Sequence, residues 1–375
     1  MSRPSPMRIA VLGTRGFPGV QGGVEKHCQE LYPRLAAKGL EITVFGRKGY
    51  LSPHAYGYRS VKIIPLWSVQ RKHLEAISHT VWGLMQIALA KPPFNLVHIH
   101  TIGPGLVTPI ARLLGVKTIV TTQGPDYERR KWGRVAKMAL RLGEALSARY
   151  AHAIISVSRT IQTFLEEKYG RKSIYIPNGV AVPPKCPPGP TLARFGLIPR
   201  RYILAVGRFV PEKGFHDLLQ AFKDLPLDLK LVIAGGADHE DRYSRVLKSQ
   251  AAKDPRVVLT GVITGLELTE IYSNARLFVL PSYHEGLPLA LLEALSYGLP
   301  AVVSAIPANL EVLDDLAWTF PPGDVEALCS RLRFALNRPE PPEWLPRLQK
   351  RLAEEFNWDR IAEATLAVYK TVLSS

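Results

Sequence analysis

Cysteine, long apolar runs and, over the first half, acidic residues are all scarce in this sequence, and each scarcity excludes a class of protein. Three cysteines in 375 residues, Cys28, Cys186 and Cys329, are scattered and form no C-x-x-C pair. That excludes a disulfide framework and a cysteine-based zinc site and favours a reduced, cytoplasmic compartment. No stretch approaches the roughly 18 uninterrupted apolar residues of a membrane span. The opening MSRPSPM shows no apolar signal region, so neither a span nor export is expected. Residues 1–180 hold 9 Asp+Glu against 26 Lys+Arg, a balance of +17, whereas the remainder holds 23 against 22. Such a one-sided basic half suits a polyanion, an anionic membrane surface or a phosphate-bearing substrate, and equally an ordinary soluble basic surface. Neither a Walker A loop, a complete G-x-G-x-x-G fingerprint, an RNP sequence nor a helix-turn-helix is visible, so a nicotinamide dehydrogenase and a nucleic-acid-binding protein are both disfavoured.

With 46% hydrophobic and 21% charged residues the chain is globular, and its length suggests two domains. Short aliphatic runs at 8–13, 41–45, 61–65, 96–100, 118–121 and 153–157 alternate with helical spacing over 24–38, 74–90 and 158–169. This is the pattern of a parallel sheet covered on both faces. At 182–190 five prolines fall in nine residues, a linker signal. The cycle restarts at 202–207 and continues through 230–235, 257–260, 277–280 and 301–304. Two doubly wound α/β domains follow, 1–180 and 201–356, joined by a Pro-rich linker at 181–200, with ligands expected at the carboxyl ends of the strands in a cleft.

Three segments carry chemistry. After the first strand, Gly13-Thr-Arg-Gly-Phe-Pro-Gly-Val-Gln-Gly-Gly-Val-Glu25 places Gly22 and Gly23 before a helix. This fits a phosphate loop, whose amides and helix dipole favour an anion, or an ordinary Gly-rich turn. Gly207-Arg208-Phe-Val-Pro-Glu-Lys213-Gly214 comes off the first strand of the second domain and offers a planar fork and a compact ammonium, a pair suited to a diphosphate. Pro281-Ser-Tyr-His-Glu285-Gly286-Leu287-Pro288-Leu289-Ala-Leu-Leu-Glu293 places Pro288 in the first turn of a helix, Glu285 before it and Glu293 within it. The amides from Gly286 through Leu289 are expected to hold a phosphate. A carboxylate at position 293, in so apolar a helix, demands a ligand or partner.

The Gly-Gly loop, Gly-Arg-x4-Lys-Gly and Glu-x7-Glu, in this order and in these domains, resemble family 4 glycosyltransferases of the GT-B fold, and the opening glycine loop is similar to a branch serving bacterial surface-polysaccharide assembly, including rhamnosyltransferases. The resemblance covers essentially the whole chain. It implies a retaining, metal-independent transfer of sugar from a nucleotide diphosphate donor, UDP-sugar first and dTDP-rhamnose second, to a saccharide acceptor, with no cofactor. It implies an acceptor-binding domain over 1–180 completed by a returning helix within 357–375, a nucleotide-sugar domain over 201–356, and closure of the two over donor. Arg208 and Lys213 would neutralise the diphosphate, Glu293 would bind the ribose, Glu285 and the Leu287–Leu289 amides would hold the sugar and its phosphate, and Gly22 and Gly23 would close over the phosphates. Gln123 stands where relatives commonly carry a histidine. Glutamine hydrogen-bonds a sugar hydroxyl but carries no proton or charge, which keeps a catalytically silent sugar-nucleotide binder as an alternative, beside a basic polyanion-binding protein. His98 and His100 read as buried structural residues.

Arg129, Arg130, Lys131 and Trp132 open a basic stretch that continues through Arg134, Lys137 and Arg141 with partial helical spacing, and Arg71-Lys72-His73 adds to it. Such a segment fits the anionic inner face of the cell membrane, where a polyprenyl-diphosphate-linked acceptor would reside, or a solvated face above a core stripe.

Overall fold

The computed structural model describes residues 6–52, 56–69, 75–125, 127, 133–181, 183–226, 228–313, 318–338 and 342–375. The chain forms two compact units, Met1–Asn178 with Trp358–Ser375, and Gly179–Asn357.

In the first unit, strands β1 (Arg8–Leu12), β2 (Glu41–Arg47), β3 (Gly57–Tyr58), β4 (Val61–Leu66), β5 (Leu96–His100), β6 (Lys117–Thr122), β7 (Ala153–Ser156) and β8 (Ile174–Tyr175) make one sheet in the order β3-β4-β2-β1-β5-β6-β7-β8. All pairings are parallel except β3 with β4. β1 is central, and its Ile9-Ala-Val-Leu12 is fully buried, as a strand covered on both faces requires. The helix Trp358–Ser374 packs on the helix Gly23–Ala37 and so belongs to this unit although it lies at the far end of the chain.

β5 buries two histidines on one face, and helices supply their partners. Tyr32 Oη lies 3.0 Å from His98 Nδ1 and 2.5 Å from His100 Nε2, Tyr369 Oη is 2.6 Å from His98 Nδ1, and Thr121 Oγ1 is 2.7 Å from His98 Nε2. Both rings have zero exposure, so they are structural. Burial keeps them neutral: it lowers the His98 pKa to about 3 and that of His100 well below its ordinary value, with the neighbouring imidazoles adding to the effect.

The second unit holds β9 (Tyr202–Val206), β10 (Lys230–Ala234), β11 (Val257–Gly261), β12 (Leu277–Leu280), β13 (Ala301–Ser304) and β14 (Trp318–Phe320), all parallel, in the order β11-β10-β9-β12-β13-β14. Its core packs β9, β10 and β12 against Phe215, Leu218, Phe222 and Leu332. The Pro-rich stretch is bound to this unit through Glu270, whose buried carboxylate accepts from Gly189 N and Leu192 N, each at 2.8 Å, and from Thr191 N at 3.2 Å. The carboxylate thereby caps the short helix Pro190–Arg194.

Strand order reverses next to β1 in the first sheet and next to β9 in the second. At such a switch point the loops leaving neighbouring strands diverge and open a crevice at the carboxyl edge.

Candidate functional site

In the second unit the switch point lies between β9 and β12, and the two sequence motifs are the loops that leave those strands. Gly214 makes their approach feasible. It sits at φ +65°, and a Cβ there would lie 2.0 Å from Pro281 O; no other residue fits. A backbone bond from Tyr283 N to Glu212 O at 2.8 Å ties the loops together.

This approach pairs the charges. Lys213 Nζ lies 2.6 Å from Glu285 Oε1, which also accepts from Ser282 Oγ at 2.6 Å, and both ionic side chains are largely shielded from water. Arg208 Nη1 donates to Asp238 Oδ2 at 2.9 Å. The two cations are therefore held in separate ion pairs, although the sequence suggests a single target for both. Asp238, which follows β10, is a partner that sequence spacing did not indicate. Glu212, between Pro211 and Lys213, is buried, with neither carboxylate oxygen hydrogen-bonded.

The helix expected at Pro288 begins one residue later, as Leu289–Ser296 with Pro288 at its N-cap and no side-chain cap. The proline thus ends the loop instead of entering the first turn, and the helix N-terminus carries the partial positive charge of its leading amides. Glu293 lies within that helix and accepts from Tyr272 Oη at 3.2 Å. Tyr272 is stacked on Tyr297 with centroids 5.1 Å apart, which fixes the phenol and hence the carboxylate.

In the first unit the carboxyl edge gathers the glycine loop after β1 and Gln123 after β6. The loop closes on a buried ion pair: Arg15 donates from Nε to Glu25 Oε1 at 3.1 Å and from Nη2 to Glu25 Oε2 at 3.0 Å, and Nη2 also bonds Gln21 O. Gly22 is required by that pair, since at φ +151° its Cβ would lie 2.1 Å from Glu25 Oε2 and 2.4 Å from Arg15 Nη2. Burial pushes the Glu25 carboxyl up, but the Arg15 charge and hydrogen bonds outweigh it and leave the pKa below its ordinary value. Gly23 is exposed and opens the helix Gly23–Ala37. Neither Arg15 nor Glu25 stood out in the sequence, because an ion pair ten residues apart inside a turn has no periodic signature.

Gln123 is 9% exposed. Its Oε1 accepts from Asn178 Nδ2 at 3.4 Å, and Asn178 Oδ1 lies 2.9 Å from His27 Nδ1. Burial drops the His27 pKa to about 4, so the ring is neutral at pH 7. Gln123 Nε2 is buried without a hydrogen-bond partner; a buried amide donor left in this way is costly unless a ligand accepts from it. Arg129, Arg130, Lys131 and Trp132 lie outside the described residues, as do Arg71, Lys72 and His73. Among the described residues no group of three or more His, Cys, Asp or Glu side chains is placed to hold a metal ion.

Known proteins share this architecture. Residues 21–182 match the family model described as Glycosyltransferase Family 4, and residues 197–355 match the one described as Glycosyl transferases group 1. The chain is 30% identical over 207 residues to O-antigen chain mannosyltransferase B of Escherichia coli, spanning 53% of that protein and 54% of this chain. It is 30% identical over 311 residues to alpha-maltose-1-phosphate synthase of Mycolicibacterium smegmatis, covering 79% of that enzyme and 74% of this chain. The fold is similar to that of Anabaena HepE, solved in complex with UDP-glucose, with a TM-score of 0.80 at 16% identity over 97% of this chain and 100% of the other. Matching models across both α/β units, the Arg-Lys and Glu-x7-Glu loops at a switch point and an enzyme relative aligned over most of its length lead to one conclusion: the chain belongs to the family 4 glycosyltransferases of the GT-B type, enzymes that use nucleotide sugars.

Proposed function

We propose that this glycosyltransferase moves a sugar, with retention and without a metal ion, from a UDP-sugar, or secondly from dTDP-rhamnose, to a polyprenyl-diphosphate-linked saccharide in bacterial surface-polysaccharide assembly. The observation that carries the reading is that the loops leaving β9 and β12 at the switch point of the second unit carry Arg208 and Lys213 on one side and Glu285 and the Leu289 helix N-terminus on the other, with Lys213 and Glu285 in contact. As the glycosidic bond to the diphosphate breaks, negative charge grows on the leaving oxygens and positive charge on the sugar ring. Preorganised cations and backbone amides stabilise the former without reorganisation.

Lys213 and Arg208 already face carboxylates, so an incoming diphosphate substitutes for Glu285 and Asp238 instead of meeting bare cations. Released from Lys213, Glu285 accepts a hydroxyl of the transferred sugar, with the amides of Gly286, Leu287 and Leu289 around the adjoining phosphate and Pro288 holding the turn. Glu293 accepts from the ribose hydroxyls. Gln123 Nε2 donates to a sugar hydroxyl, and Gly22 and Gly23 keep side chains out of the loop that covers the phosphates. The UDP preference is supported by the UDP-glucose in the HepE complex, and the surface-polysaccharide assignment by the O-antigen relative. Among the described residues no helix is long and apolar enough to cross a membrane.

Calorimetric titration with UDP, dTDP, GDP and ADP, followed by donor-turnover assays, tests the reading. UDP is expected to bind tightest and UDP-sugar to turn over with retention at the anomeric carbon. Failure of every nucleotide to bind overturns the reading in favour of a basic polyanion-binding protein. Gln123 supports a second reading, a silent sugar-nucleotide binder, for which turnover would appear only in the Gln123→His variant.

A further inference from the structure

The first unit carries an outward apolar face that neither its core nor its candidate site uses. The helix Glu75–Ala88 buries His79, Thr80, Gly83, Leu84 and Ile87, yet its opposite side exposes Val81, Trp82 and Met85, continued by Leu89 at 73%. Glu75 is its only charged residue, so this helix is apolar on both sides, unlike an ordinary surface helix. The short helix Thr108–Leu113 repeats the pattern with Ile110, Leu113 at 86% and Leu114 exposed, and the helix Arg134–Tyr150 does so with Val135 at 77%, Met138 and Leu142. These helices are neighbours. Thr108–Leu113 packs on Arg134–Tyr150, and the turn Pro104–Val107 touches both of them and the helix Glu75–Ala88.

Charge on this face has one sign. Arg112, Arg134, Arg141 and Arg149 are exposed and Lys137 is half-buried. The acidic residues of the three helices are withdrawn: Glu75 is shielded beside Arg47 and Glu144 is buried against Lys168 at 2.7 Å. Large apolar side chains spaced three and four apart, interleaved with cations and free of exposed carboxylates, match what an anionic lipid surface binds and what a soluble face avoids.

We infer that the helices Glu75–Ala88, Thr108–Leu113 and Arg134–Tyr150 form the surface by which this enzyme docks on an anionic lipid bilayer, the apolar stripes entering the headgroup boundary and the cations pairing with lipid phosphates. The inference deepens the proposed lipid-linked acceptor and rests on that reading, but it makes its own test. The full chain is floated with vesicles of pure phosphatidylcholine and with vesicles containing 30 mol% phosphatidylglycerol, at low and high salt. Binding is expected only to the anionic vesicles. The double variants Met85→Glu/Leu89→Glu and Leu113→Glu/Leu114→Glu, and separately Lys137→Glu/Arg141→Glu, are each expected to reduce partitioning by about tenfold or more. UDP titration of the same variants, with unchanged Kd expected, reports folding and keeps the donor reading separate: loss of vesicle binding with intact UDP affinity supports the docking surface. Equal flotation of wild type and all three variants overturns it. So does failure of the wild type to float, and so does a wild-type dimer that becomes monomeric in Leu113→Glu/Leu114→Glu while flotation is unaltered, which would make this face an interface between copies of the chain.

Discussion

Lys213 illustrates how much one side chain is asked to do. It is held 2.6 Å from Glu285 in a largely dry setting, so removing it strands a carboxylate and, on the proposed function, also takes away a diphosphate contact. Lys213→Ala is expected to weaken nucleoside diphosphate binding by about 1.5–3 kcal/mol, roughly ten- to a hundredfold in Kd. Glu293→Ala is expected to do the same with less cost to the fold, because Tyr272 Oη keeps Ala290 O as an acceptor at 3.3 Å. Calorimetry on both variants checks this, and unchanged affinity in the pair removes the donor-site assignment. The charged residue types at these positions and their places in the segments after β9 and β12 were legible in the sequence. Their partners were not: Asp238 lies 30 residues from Arg208, and Asn178 lies 55 from Gln123, separations that only folding closes.

Among elements, the loops that leave β9 and β12 matter most, and Gly214 sets their distance. Gly214→Ala would force a Cβ against Pro281 O at φ +65°, whereas Gly265→Ala meets a similar φ of +59° with nothing within 4 Å. Both substitutions carry backbone strain of about 1–3 kcal/mol, but only Gly214→Ala must push the two loops apart. Thermal denaturation should therefore show both variants destabilised, and Gly214→Ala more so. Nucleotide titration should show affinity falling in Gly214→Ala alone, and an equal loss in both would mean that the loop contact is not what positions Lys213. The main strands were readable from short aliphatic runs alternating with helical spacing. The brief β3, β8 and β14, of 2, 2 and 3 residues, carry too little pattern to register, and edge pairing within a sheet defines them instead.

For the whole molecule, the two units respond to different agents. His27, His79, His98 and His100 are buried and neutral in the first unit, with pKa values of about 4, about 4, about 3 and well below ordinary. The unfolded chain protonates the same rings near pH 6.5. Between that value and the folded values the unfolded state binds more protons, so stability is fully present above pH 6.5 and is lost as pH falls. Urea midpoints of the first unit should decline from pH 7 to pH 5 with proton uptake on unfolding approaching four, and a flat profile would show these rings to be charged in the fold. Saturating UDP at about a hundred times its Kd should in turn raise the second unit's transition by about 2.7 kcal/mol.

Composition and local pattern were sufficient for a two-domain α/β chain, for the glycine, Arg-Lys and Glu-x7-Glu motifs and for the basic first half, because strand periodicity, turn chemistry and charge are properties of neighbouring residues. Tertiary structure alone decided that Gly22 is needed for the Arg15–Glu25 pair, that Lys213 and Glu285 meet, and that neighbouring helices of the first unit leave large apolar side chains exposed. Each of these depends on residues that no sequence period relates and that only folding brings close in space, where burial and hydrogen bonding turn local propensities into specific contacts.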